Sequence, residues 1–143
     1  MDEVLAGFVC GYALALAVTP LVALALLRAR LSSTTVQRLM PEGTSLIAVS
    51  IIIHTFALLT TTALGILLGL MLSGIEDSRP AGGLGSPNQL FTALIVATGA
   101  IAVLPLAIAV PRWRLALIAG GLTFVATFGW AMPYLSLAAA AKS

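Results

Sequence analysis

Charge is what this sequence has least of. Asp, Glu, Lys and Arg make up 8% of its 143 residues, about a third of the share usual in soluble domains. With 60% hydrophobic residues, a water-soluble fold of this length could not hide its apolar surface, because even a compact domain leaves a large fraction exposed. A bilayer removes that constraint. Cys10 is the single cysteine and His54 the single histidine. An intramolecular disulfide and a Cys-cluster metal site are therefore excluded, and Cys10 reads as a small apolar filler. The chain also has no Walker loop, dinucleotide fingerprint, HExxH, GxSxG or CxxC. With one histidine and no embedded acid, general acid–base catalysis has almost no candidates, and no enzymatic activity is expected.

What is present is four long apolar runs, at residues 4–27, 46–72, 90–110 and 115–137, none of which contains Asp, Glu, Lys or Arg. Each is near the roughly 20 residues that cross about 30 Å of hydrocarbon as a helix. They are unbroken rather than alternating, which excludes barrel strands. The expected fold is all-α: a four-helix transmembrane bundle forming a single domain over residues 1–143. Met1-Asp2-Glu3 is acidic where a signal peptide needs positive charge, so the first run is expected to stay as a span.

The connections set an orientation. Segments 28–45 and 111–114 must share one side of the membrane, and they hold Arg28, Arg30, Arg38, Arg112 and Arg114, five of the seven basic residues. The excess of arginine in two short loops predicts that both are cytoplasmic, with both termini and loop 73–89 outside. The location expected is the plasma membrane. Basic residues lie between apolar runs and not along one face, which argues against nucleic acid as a partner. Arg28, Arg30, Arg112, Trp113 and Arg114 read as anchors at the inner interface, and Trp130 and Tyr134 as the outer aromatic belt. Thr34-Thr35-Val36-Gln37 fits a capping box. It would start a short interfacial helix over 35–40 that rests Leu31, Val36, Leu39 and Met40 on the headgroup boundary. The stretch Pro80 to Pro87 is too rich in glycine and proline for regular structure.

Small residues recur at four-residue spacing. The first span has Gly7, Gly11, Ala15 and Thr19, the second Thr61, Gly65, Gly69 and Ser73, the fourth Ala119, Thr123, Thr127 and Ala131. Such rows let helix backbones approach closely, inside one chain or between chains, where lipid supplies no hydrophobic drive for association. Pro20, Pro105 and Pro133 fall within spans and are expected to kink them or to free carbonyls from the helical ladder. Ala17-Val18-Thr19-Pro20-Leu21 and Ala102-Val103-Leu104-Pro105-Leu106 echo one another, and each run ends in an Arg-X-Arg. A weak parallel repeat of two hairpins would leave that pattern.

His54 is the one ionisable imidazole inside a span, and it shares a helical face with Ser50, Thr61 and Gly65. A polar group at that depth marks a candidate site. The expectation is an uncharged ring bonded to a carbonyl or hydroxyl of another helix; the alternatives are a proton relay and an axial ligand to haem or a chlorophyll-type pigment. The chain lacks the embedded glutamate of the small multidrug exporters and the paired cysteines of the vitamin K reductase type. Composition thus favours a non-catalytic accessory subunit of a larger respiratory, photosynthetic or transport complex. Its partners would be lipid and other membrane subunits or further copies of itself. The alternatives are a small oligomeric channel or transporter with a path near His54, and a pigment or haem protein using His54.

Overall fold

The computed structural model describes residues 2–32, 34, 37, 45–76, 85–109 and 111–141. They are almost entirely helical: α1 (Asp2–Ser32), α2 (Leu46–Glu76), α3 (Gln89–Ala109), a 3₁₀ turn (Pro111–Trp113), α4 (Arg114–Phe124), a π-helical segment (Val125–Ala131) and α5 (Met132–Ala140). The last three run on as one rod, so four helical rods are long and apolar enough to span a membrane, and no strand occurs among the described residues. The all-α class and the four long apolar helices expected from the apolar runs are found. α1 continues through Arg28 to Ser32 and α2 to Glu76, longer than the apolar runs alone suggested. The 29-residue span Ile47–Ile75 amounts to about 44 Å of helix, more than the hydrocarbon thickness, an excess that tilt or protrusion absorbs. Most of the interfacial helix expected over 35–40, and the glycine-rich part of the second loop, lie outside the described residues.

The helices are joined as two hairpins. α1 packs along α2, and α3 packs along α4 and the π segment. The hairpins meet chiefly where α1 touches α5 and the π segment, whereas α2 and α3 barely meet. The in-space order is therefore α2, α1, fourth rod, α3. All four rods contribute to one core at the end that holds Asp2: Ala6 and Cys10 from α1, Leu72 from α2, Phe91 and Ile95 from α3, Phe128 and Met132 from the fourth rod. Phe124 and Phe128 stack there in a tilted pair with centroids 5.1 Å apart, within the range of favourable aromatic contact. Away from that core large apolar side chains point outward, Phe56 being 72% exposed and Ile108 73%. Water would not tolerate so continuous an apolar coat on a monomer, and lipid would.

Proline explains the one irregular rod. In an α-helix the Gly129 carbonyl would accept from the N–H of residue 133, which is proline and has none, and the ring would press on that same carbonyl. The rod answers by widening to π geometry from Val125 to Ala131, with the N–H of Met132 reaching back five residues to the Thr127 carbonyl. The Gly129 carbonyl receives a donor from another helix: the Thr92 hydroxyl of α3, at 2.6 Å. Of the three span prolines, Pro133 thus shows the freed carbonyl that its position predicted.

Candidate functional site

Along the α1–α2 seam glycines bring the two backbones into contact. A Cβ added to Gly7 would strike the carbonyl oxygen of Gly65, and one added to Gly65 would strike that of Gly7. At Gly11 it would lie 2.8 Å from the Cα of Thr62, and at Gly69 2.8 Å from the Cα of Val4. All of these are backbone atoms, which cannot swing aside. Ala15 is fully buried in the same row. The seam ends at Gly69: Ser73 is exposed and its hydroxyl donates to Leu70 of its own helix. The row on the fourth rod behaves differently. Ala119, Thr123 and Ala131 are exposed, Thr127 is half-buried, and Thr123 donates back to Ala119.

Where the backbones come this close, polar groups reach across. Bare of a side chain, the Gly11 carbonyl accepts from the Thr61 hydroxyl at 2.7 Å, a bond that the same O–H shares with Ala57 of its own helix at 2.8 Å. Nearer the Arg28 end, His54 Nδ1 lies 3.0 Å from the Thr19 hydroxyl oxygen. Thr19 also sits 2.7 Å from the Ala15 carbonyl, its i−4 acceptor. A hydroxyl has one proton. If Thr19 donates it to Ala15, its oxygen accepts from Nδ1–H of His54. The half-buried His54 is therefore a rung between α1 and α2, with a hydroxyl of another helix as its partner.

A second polar node lies in the other hairpin. Ser86, Asn88 and Thr92 are all buried. The Asn88 N–H donates to Ser86 Oγ at 3.3 Å. The Thr92 and Ser86 hydroxyl oxygens lie 2.5 Å apart, and Asn88 Oδ1 caps α3 by accepting from the Phe91 N–H at 3.0 Å. The Tyr134 hydroxyl donates to the Gly85 carbonyl at 2.6 Å, which pins Gly85 to the fourth rod. At the opposite end Pro111 leaves the Ala107 carbonyl without its ladder donor, and Arg114 Nε supplies one at 3.1 Å. Trp113 is half-exposed beside it. Arg28 is exposed too, while the side chains of Arg30 and Arg112 lie outside the described residues.

Two open apolar grooves flank the line where Val103 packs on Gly121. One, of about 510 Å3, runs past Leu104, Ile118, Leu122 and Trp130. The other, of about 360 Å3, runs past Ala102, Ala116 and Gly120. Neither includes Ser50, His54 or Thr61, the residues that a conduction path was expected to use. Among the described residues no three His, Cys, Asp or Glu side chains cluster as metal ligands would. The Thr92–Gly129 and Arg114–Ala107 bonds were missed by sequence reasoning, although counting four residues back from Pro133 and Pro111 points to both acceptors. Comparisons with protein-family models, curated proteins and solved structures return no match.

Proposed function

We propose that this protein is a non-catalytic accessory subunit of a larger membrane complex, one that contributes shape and helix faces to its partners. The observation that carries the reading is where the polar side chains within the spans are engaged. Thr61 reaches Gly11, His54 reaches Thr19, and Thr92 reaches Gly129, each bridging two helices of this chain. Groups engaged in holding helices together are not free to pass ions or protons. The outward small-residue row of Ala119, Thr123 and Ala131 is the kind of face on which a neighbouring subunit packs. Purification in mild detergent tests the reading. Stoichiometric, unlike partners should accompany the chain; a homogeneous homo-oligomer with transport activity would contradict it and favour the channel.

A second reading has one observation in its favour. With Nδ1 engaged by Thr19, Nε2 of His54 would be left for a ligand, as in metal-ligating histidines whose other ring nitrogen is hydrogen-bonded. An axial ligand to haem or a chlorophyll-type pigment would be expected to give the purified protein visible absorbance that His54→Gln removes.

A further inference from the structure

We propose that the groove running past Leu104 and Ile118 seats one acyl chain of an anionic phospholipid, whose phosphate is met by the Arg114 guanidinium. The inference is independent of the accessory-subunit reading, because a lipid seat serves a subunit, a channel or a pigment protein alike.

The Arg114–Ala107 bond ties a charge to this groove. It crosses between the two helical rods that wall it, with Nε 3.1 Å from the Ala107 carbonyl oxygen. Residues four, seven and eleven apart share one face of a helix. Counting back from Ala107 along α3 gives Val103, Ala100 and Val96, and counting on from Arg114 along the fourth rod gives Ile118, Gly121 and Val125. All six line the groove. The bond is therefore the next rung beyond Val103 and Ile118, about 6 Å further along the helix axes. Ala116 and Gly120, which line the other groove, lie more than about 100° around the helix from Arg114.

Charge and shape then select the occupant. A guanidinium fixed through Nε offers the rest of its fork to a phosphate, and among the described residues its terminal nitrogens make no hydrogen bond. Pro111-Arg112-Trp113-Arg114 holds two arginines and no acid, and the exposed Trp113 is of the type that settles at headgroup depth. Beyond the bond the groove is lined by aliphatic side chains and glycine, with Trp130 the one aromatic residue and no ionisable group. From Leu104 to Val96 it covers about 12 Å along α3, within the depth of one leaflet, about half of a 30 Å core. An apolar slot with a fixed cation at one end matches the two halves of a lipid. A partner's apolar helix would leave the cation unused, and a free phosphate would leave the slot empty.

The two grooves and the two hairpins supply the controls. The full chain, stripped of lipid in neutral detergent, is titrated with phosphatidylglycerol or phosphatidylcholine of matched chains, and bound lipid is counted by native mass spectrometry. The wild type should retain phosphatidylglycerol about fivefold better, the preference worth one basic residue near an anionic headgroup. Arg114→Gln should bring the two lipids level, whereas Arg28→Gln, at the same end of the first hairpin, should keep the preference. Ala126 is an exposed residue of the groove, so Ala126→Leu fills it and should lower retention of both lipids at an unchanged melting temperature. Ala116→Leu, in the other groove, should leave retention as it was. Glycerol phosphate, which has the headgroup charge and no chain, should not displace the lipid. Should either Arg114→Gln or Ala126→Leu fail to fold, the other decides alone. The proposal is overturned if Ala126→Leu retains lipid like the wild type, if Arg28→Gln levels the two lipids, or if glycerol phosphate competes. It is overturned too if Ala126→Leu splits a dimer, which would make the groove the seat of a second copy.

Discussion

Replacing Gly65 with alanine adds a single methyl group, and the α1–α2 seam predicts how costly it is. The new Cβ would lie 2.8 Å from the carbonyl carbon of Gly7 and closer still to its oxygen. Carbon atoms pack comfortably at about 3.5 Å or more, so the helices must part by about 0.7 Å at least. A gap of that size forfeits roughly a quarter to a half of the dispersion energy of the atoms it separates. Overpacking of this kind costs about 1–3 kcal/mol, and we expect Gly65→Ala near 2 kcal/mol. Gly74→Ala is the control on the same helix: a Cβ there meets nothing within 4 Å, and alanine's helix propensity makes it neutral or up to about 1 kcal/mol stabilising. Gly7→Ala should resemble Gly65→Ala, and the double variant should cost less than the sum, because helices already parted by one methyl admit the second. Reversible unfolding in mixed micelles reads all four. If Gly65→Ala and Gly74→Ala unfold alike, the backbones are not in contact and the seam is wrong.

Three further outcomes follow from the other contacts. Thr92→Val should cost about 1–3 kcal/mol by leaving the buried Gly129 carbonyl unpaired, and much less in a Pro133→Ala background, where the ladder N–H returns; equal cost in both backgrounds would remove proline as the cause of the π segment. In a Cys10→Ser background, an impermeant thiol reagent should label Ala141→Cys and miss Thr34→Cys in intact cells, and the reverse pattern would invert the orientation predicted by the arginines. His54→Gln, which keeps a donor for Thr19, should assemble and function nearly as wild type, whereas loss of function with assembly intact would make His54 a ligand or relay.

Much of the first hairpin was legible because its rule is local. Gly7 and Gly11 lie four apart, as do Gly65 and Gly69, and a four-residue row is a face of a helix whatever surrounds it. His54 was legible in kind, since a lone imidazole in an apolar run needs a polar partner; that Thr19 provides it depends on the register of α1 against α2, which no spacing encodes. Ser73 continued the row in sequence but not in contact, because Gly69 already faces Glu3 and Val4 in the first turn of α1. The second hairpin was hidden for a different reason. Its contacts follow from two prolines and the carbonyls four residues before them, and the donors Thr92 and Arg114 approach from elsewhere in the chain. Sequence pattern marks such acceptors and leaves the donors open.

The central claim is that polar side chains within the spans act as fasteners between helices, and the Thr19–His54 pair tests it most directly. Unfolding free energies of Thr19→Val, His54→Leu and the double variant isolate the pair's own coupling from the side effects of each change. The account predicts a coupling of about 0.6–1.7 kcal/mol, the range of interhelical hydrogen bonds within membranes. Additive single changes, with no coupling at all, would mean that His54 does not hold α1 to α2 and would contradict the account.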